Sequence, residues 1–319
     1  MSTAWQFFTL SAPLFGVVLV GYILAFWRHW RRRWTELASQ FVFKVALPAL
    51  LFHLMAGVAT LPPVDARLLI AFFGGCLLVF VVGRVIAAKA FALDGVSQSI
   101  FALGGIFSNN VMLGLPLARL TLGPQSLPSV ALVVVFNSLI LWTLVTVSIE
   151  WARHGEFTLR GIGKLIGNVL TNPIVAAILS GTAFAFTGLQ LPRFIDIVLT
   201  ALAQLAAPAA LIVLGMGLRD YGIRSGWQLS LTICFIKLVV QPLVVWMLAL
   251  ALGLPLLETN VVVLLASMAV GANVYLMANQ FQTLQGTVAN SLVMSTALAA
   301  ATTPLLLALV IAVEQAMQK

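Results

Sequence analysis

The chain has 319 residues, 61% of them hydrophobic and only 8% charged, with a formal net charge of +8. A soluble domain carries about 25% charged residues, so this composition specifies an integral membrane protein and leaves no room for a separate soluble domain. The surplus Lys and Arg sit in short connections between apolar runs, a pattern that encodes membrane topology and excludes nucleic acid as a partner.

A membrane-spanning helix needs about 20 mostly apolar residues. Ten segments qualify: 6–27, 37–58, 68–91, 98–120, 127–149, 166–187, 195–218, 228–252, 257–281 and 286–311. The expected fold is therefore all-α, with ten transmembrane helices. The first segment is long enough to span and lacks a small-residue cleavage site after it, so it is not read as a cleavable signal. Turn residues mark the connections, as in "TLPPVD" (60–65) and "TLGPQSLP" (121–128).

Taken in chain order, a few spans carry unusual residues. Span 2 contains "FVFKVALPALLFHL" (41–54). Lys44 is expected toward the inner end, where it either snorkels to the interface or serves a site. His53 is expected near the outer end as a packed or interfacial residue. Span 4 contains "GGIFSNNVMLGLPLARL" (104–120), with Ser108, Asn109 and Asn110 adjacent and Gly114 and Pro116 just beyond. Span 8 contains "FIKLVVQPLVV" (235–245), which puts Lys237 near the bilayer centre, Gln241 one turn on along the same face, and Pro242 beside them. Span 9 contains "VGANVYLMANQ" (270–280), with Gly271, Asn273 and Tyr275. Cys76 and Cys234 fall inside apolar runs, where cysteine behaves as a small hydrophobe and implies no disulfide framework.

Orientation follows from the basic residues. Arg28, Arg31, Arg32, Arg33, Arg84, Lys89, Arg153, Arg160, Lys164, Arg219 and Arg224 lie on one side, against Arg67, Arg119, Arg193 and Lys319 on the other. The richer side is cytoplasmic, and both termini then face outward. "WRHWRRRW" (27–34) reads as an interfacial anchor on the inner side.

The chain also resembles itself at half its length. "LPALLF" (47–52) matches "APAALI" (207–212), "NNVML" (109–113) matches "ANVYL" (272–276), and Pro13 precedes Pro173 by 160 positions. This divides one membrane domain into a first repeat, 1–155, and a second, 156–319. Five is odd, so the second repeat enters from the opposite side. An inverted repeat is a transporter signature, with the site near mid-membrane where matching helices are interrupted. Spans 4 and 9 are those helices, with Gly114, Pro116 and Gly271 as the expected breaks.

No carboxylate is expected near mid-membrane, while Lys44 and Lys237 lie inside spans. A charge at that depth is costly and faces a cavity or a partner. The cavity is thus expected to take anions, bound by Ser108, Asn109, Asn110, Asn273, Tyr275, Gln241, Lys44, Lys237 and the backbone amides of interrupted helices. No metal or other cofactor is expected: His29, His53 and His154 lie in different segments, and no P-loop is present. Coupling to H⁺, to Na⁺ or to the membrane potential alone is compatible with these residues.

Phe107, Asn109, Val111, Met112, Gly114, Leu115, Pro116 and Leu117 resemble the F-x-N-x-G-F-x-G-L-P-L pattern of the auxin efflux carrier family, which includes plant auxin carriers and bacterial malate or malonate permeases. "FVFKVALPALLF" (41–52), "KLVVQPL" (237–243) and "MANQF" (277–281) are similar to that family's spans 2, 8 and 9. The resemblance implies ten helices in two inverted repeats, with spans 4 and 9 crossing at the ligand. It further implies a homodimer in the bacterial inner membrane, and carboxylates or similar organic anions as substrates. Two departures stand out: "AVGAN" (269–273) lacks the family's prolines in span 9, and Val111-Met112 replaces a small residue and an aromatic. The expected function is secondary transport of small organic anions by alternating access. A non-transporting membrane sensor or scaffold is the alternative. An enzyme is not expected, because no serine has a partnered His or Asp.

Overall fold

Where this chain is a regular helix, and where the helix widens or stops, follows largely from its prolines and glycines. The computed structural model describes residues 3–26, 32–57, 64–154, 173–221 and 226–317. Arg28, Arg31, Arg160, Lys164, Arg224 and Lys319 lie outside these, as does the 27–31 part of the expected anchor.

The helices are α1 (Thr3–Leu24), α2 (Arg32–Phe41), α3 (Leu47–Ala56), α4 (Arg67–Phe91), α5 (Gly95–Gly104), α6 (Leu115–Thr121) and α7 (Leu127–His154). They continue with α8 (Pro173–Phe186), α9 (Arg193–Tyr221), α10 (Trp227–Phe235), α11 (Gln241–Ala251), α12 (Leu256–Ala266), α13 (Ala272–Gln280) and α14 (Gln285–Met317). Among the described residues there is no strand. Arg33–Ala56, Arg67–Phe91, Pro124–Arg153, Arg193–Arg219, Trp227–Ala251 and Gln285–Val313 are each long and apolar enough to cross a membrane. The protein is an all-helical, multi-pass membrane protein.

Three π turns interrupt the helical runs, at Val42–Ala46, Asn110–Gly114 and Ile236–Val240. Each is followed by a helix whose second residue is proline: Pro48, Pro116 and Pro242. A proline ring collides with the carbonyl four residues back and leaves it without a donor. Widening the turn relieves that collision, and the backbone N–H before each proline bonds five residues back: Leu47 to Val42, Leu115 to Asn110, Gln241 to Ile236. Both intramembrane lysines, Lys44 and Lys237, fall inside such turns.

The helices pack in two groups. α1 lies along α9 and α3 along α8, with α9 against α3. In the second group α4 packs on α5 and α11, α11 on α12, α5 on α7 and α10 on α14. α14 also touches α1 and α9, joining the groups. Contacts within the first are close because small residues let backbones approach. Gly21 abuts the carbonyl of Ile212, and a Cβ on Gly181 would lie 2.6 Å from the carbonyl oxygen of Phe52. On α4, Leu77, Leu78, Val81, Val82 and Val85 form an exposed apolar stripe, while Phe72, Cys76, Val79 and Phe80 are buried. A helix apolar on both faces suits core on one side and lipid on the other. His53, half-buried, bonds through Nε2 to Asp196 Oδ1 at 2.9 Å and ties the end of α3 to the start of α9.

Candidate substrate site

The site begins with two interrupted helices. α5 starts at Asp94, whose Oδ1 accepts the backbone N–H groups of Val96 at 3.0 Å and Ser97 at 3.1 Å. α5 ends at Gly104, and the chain then runs without helix to Asn110. α12 ends at Ala266 and α13 starts at Ala272. The two gaps meet in an isolated antiparallel bridge between Ser108 and Val270. Asn109 donates its backbone N–H to the carbonyl of Ala269 at 2.9 Å, and Gly271 donates to that of Phe107 at 2.8 Å. Non-helical backbone at membrane depth must find partners inside the protein, and here each gap supplies the other.

Gly271 makes the approach possible. Its backbone is extended, with φ −78°, and needs no left-handed freedom. What it needs is space, since a Cβ there would meet a Phe107 ring carbon at 2.9 Å and the Ser108 carbonyl oxygen at 3.1 Å. α14 supports the crossing from behind: Val270 N–H donates to Ser295 Oγ at 3.0 Å, and the Thr303 hydroxyl donates to the Ser267 carbonyl at 3.0 Å.

The C-terminal ends of α5 and α12 carry orphan carbonyls and partial negative charge. Lys237 Nζ donates to the Ala266 carbonyl at 2.6 Å, and Gln241 Nε2 donates to the Ile106 carbonyl at 2.8 Å. Both side chains are fully buried. One helix, widened at Pro242, thereby holds both interrupted helices at their carbonyl ends.

Beside the crossing is a cavity of about 280 Å³. Its walls come from the crossing (Phe107 to Met112, Gly271 to Asn273), from α7 (Val134, Asn137), from the π turn before α3 (Phe43, Lys44) and from the start of α8 (Pro173 to Val175). Five buried polar atoms on this wall have no hydrogen-bond partner: Ser108 Oγ, Asn109 Nδ2, Asn110 Nδ2 and Oδ1, and Asn137 Oδ1. Only three other such atoms occur among the described residues, so the unmet polarity is concentrated here. An unsatisfied buried polar group costs about 1–3 kcal/mol. The side chains that carry them line one cavity, as a binding site for a polar ligand requires. The first turns after each gap also border the cavity, and the N–H groups of a first helical turn have no intrahelical acceptor.

The sequence-nominated residues divide. Lys44, Ser108, Asn109, Asn110, Gly271 and Asn273 come together on the cavity wall. Lys237, Gln241 and Tyr275 are not on it; the first two stand behind the crossing, where the Lys237 ammonium and the Gln241 amide N–H donate to helix-end carbonyls while Gln241 Oε1 has no partner. Gly114 and Pro116 lie past the interruption, which opens at Gly105. Pro116 widens the turn before α6, while the gap itself is held by the backbone pairing with residues 269–271. Asn137 was missed. Its signal, a lone Asn in "VVVFNSLIL" (133–141), has neither a neighbouring polar residue of its kind nor a matching partner in the other half.

A family model described as "Membrane transport protein" matches residues 6–307. The chain belongs to this family. It is the auxin efflux carrier family whose motifs the sequence resembles, and its members are transporters rather than enzymes. Over 310 residues this membrane transport protein is 26% identical to a protein of Rhizobium meliloti (strain 1021) named "Putative malonate transporter", covering 94% of this chain and 95% of that one.

Proposed function

We propose that this membrane transport protein is a secondary carrier of small organic anions, carboxylates above all, working by alternating access at the crossing. The observation that carries the reading is the set of unpartnered donors, Ser108 Oγ, Asn109 Nδ2 and Asn110 Nδ2, in the wall of a cavity that Asn137 and Lys44 also line. Amide and hydroxyl donors with first-turn N–H groups bind a carboxylate well, because hydrogen bonds to a charged acceptor are the stronger kind. The related protein's name, malonate transporter, agrees with an acid of this size.

In this reading the ten expected spans form two inverted repeats, 1–155 and 156–319. The crossing bonds support it. They pair residue 107 with 271 and 109 with 269 about a bridge between residues 108 and 270, which are 162 positions apart, close to the offset of the matching segments. The group of α1, α3, α8 and α9 is the natural scaffold, and the second group, which contains the crossing, is the moving body. The cavity lies between them, so sliding one past the other exposes it to alternate sides. The basic-residue asymmetry supports a cytoplasmic membrane location with both termini outward, and the family resemblance supports a homodimer.

The test is uptake of labelled malonate, malate and indole acetate into proteoliposomes, with and without imposed pH and Na⁺ gradients. Saturable uptake that is lost in Asn110→Ala is the expected result, and gradient dependence identifies the coupling. Specific binding without entry into the vesicle would sink the carrier reading and favour a sensor.

A further inference from the structure

We propose that Lys44 selects for a second negative charge on the substrate, so that the site takes small dianions in preference to monoanions. The inference rests on the carrier reading and adds to it the residue that sets substrate charge.

Lys44 is twelve residues from either end of the run Arg32–Ala56, roughly 18 Å from each at 1.5 Å per residue. The first turns of that run are polar (Arg32, Arg33, Glu36), so Lys44 sits inside the span toward that end, where its side chain also borders the cavity. A charge at such depth faces a cavity and is met by a counter-charge or water. Lys44 is exposed and lines the cavity. Among the described residues it has no ion-pair partner, and no carboxylate lines the cavity.

The two sides of the cavity differ in kind. The crossing and α7 offer neutral groups, Ser108, Asn109, Asn110 and Asn137, enough for one carboxylate. Lys44 comes from the other helix group, on the π turn that Pro48 imposes, and brings a full positive charge. A monoanion seated on the amides leaves that charge unanswered. A dianion satisfies both, and in doing so bridges the two groups of helices. At about 280 Å³ the cavity is at the small end of ligand pockets, which run from about 300 to 1,000 Å³. That favours a short diacid whose charges are a few bonds apart.

The experiment compares initial uptake of malonate and of monomethyl malonate at about pH 8, where every free carboxyl is ionised. Proteoliposomes carry wild type, Lys44→Arg, Lys44→Gln or Lys44→Cys. Wild type and Lys44→Arg are expected to prefer the dianion by about tenfold or more, the scale of one charge-assisted hydrogen bond. Lys44→Gln loses that preference while still admitting the monoanion. Alkylating Lys44→Cys with 2-bromoethylamine restores an ammonium and, with it, the preference, which separates a charge effect from a folding defect. A dianion preference that persists in Lys44→Gln, or fails to return on alkylation, overturns the proposal. Equal uptake of both anions by wild type also overturns it and leaves the carrier reading intact. Uptake of neither by wild type, with no other small acid transported, overturns the carrier reading itself.

Discussion

Gly181 of α8 lies against the carbonyl of Phe52 in α3, just as Gly21 of α1 lies against the carbonyl of Ile212 in α9. The two glycines are 160 positions apart, and so are the two residues they touch. Chance does not easily produce the same contact at the same spacing twice. If the halves are equivalent, the contacts should have similar energetic weight. Valine at either glycine forces a side chain into backbone, an overpacking cost of about 1–3 kcal/mol. Gly21→Val and Gly181→Val are therefore expected to lower the unfolding temperature in detergent by comparable amounts. Gly16→Val is the control, because nothing lies within 4 Å of a Cβ there. A large loss at one glycine alone would count against the equivalence.

How much of this was legible in the sequence differs between elements. The positions of six of the ten expected spans were, because burial in lipid requires long apolar runs whatever the tertiary structure. The region of the cavity was too, since Ser108, Asn109 and Asn110 are conspicuous where every polar group is costly. The hydrogen-bond partner of Lys237 was not legible. A buried lysine reads the same whether its partner is a ligand or the Ala266 carbonyl, and a carbonyl 29 residues away leaves no trace in the local pattern. Pro116 is a related case. Proline announces a distorted helix but not which side of it opens, and here tertiary pairing of residues 107–109 with 269–271 decided that.

Lys237 and Gln241 allow a comparison of two caps on one helix. Gln241→Leu strips the Ile106 carbonyl of its 2.8 Å donor, at about 1–3 kcal/mol, part of which is regained because the unpartnered Gln241 Oε1 is removed as well. Lys237→Met uncaps Ala266 in the same way but also removes a charge from the membrane interior, which offsets the loss. Thermal unfolding should therefore show Lys237→Met as the milder change. Both variants should slow transport, since each frees one end of the crossing. A Lys237→Met protein less stable than Gln241→Leu would show that the charge itself is stabilised there.

The unpartnered atoms at the cavity imply a trade between stability and activity. Asn137→Leu replaces a buried amide, whose Oδ1 has no partner, with an apolar side chain of similar size. Stability should be unchanged or rise by about 1 kcal/mol. Anion uptake should fall about tenfold or more, because the amide Nδ2, the one atom of this side chain able to donate to a carboxylate, is lost. Asn110→Leu should behave alike, since its unmet Nδ2 is a donor available to a carboxylate and its unmet Oδ1 is a buried cost that the substitution removes. A destabilised Asn137→Leu protein with normal uptake would mean that the amide serves packing instead.

Asp94 gives a prediction about pH from outside the membrane. The Ser97 side chain, followed by the backbone N–H groups of Ser97 and Val96, holds its carboxyl below the ordinary value of 3.8 against a smaller opposing effect of burial. A folded-state pKa that is lowered contributes stability above the unfolded pKa, and that contribution is lost as pH falls through the lowered value. Asp94→Ala removes the cap altogether and should cost about 0.5–2 kcal/mol at neutral pH. Asp94→Asn keeps an accepting oxygen and removes only the charge, so it should cost less. The stability difference between wild type and Asp94→Asn should then hold constant from neutral pH down to about 5 and shrink below about 4. Because α5 leads directly into the crossing, and the Ser97 hydroxyl also meets Thr283 Oγ1 at 2.7 Å beyond α13, loosening this cap should lower transport as well. Melting curves and uptake measured over the same pH series would check both. A difference that grows on acidification would mean that the carboxyl is held above its ordinary value, contrary to the geometry of the cap.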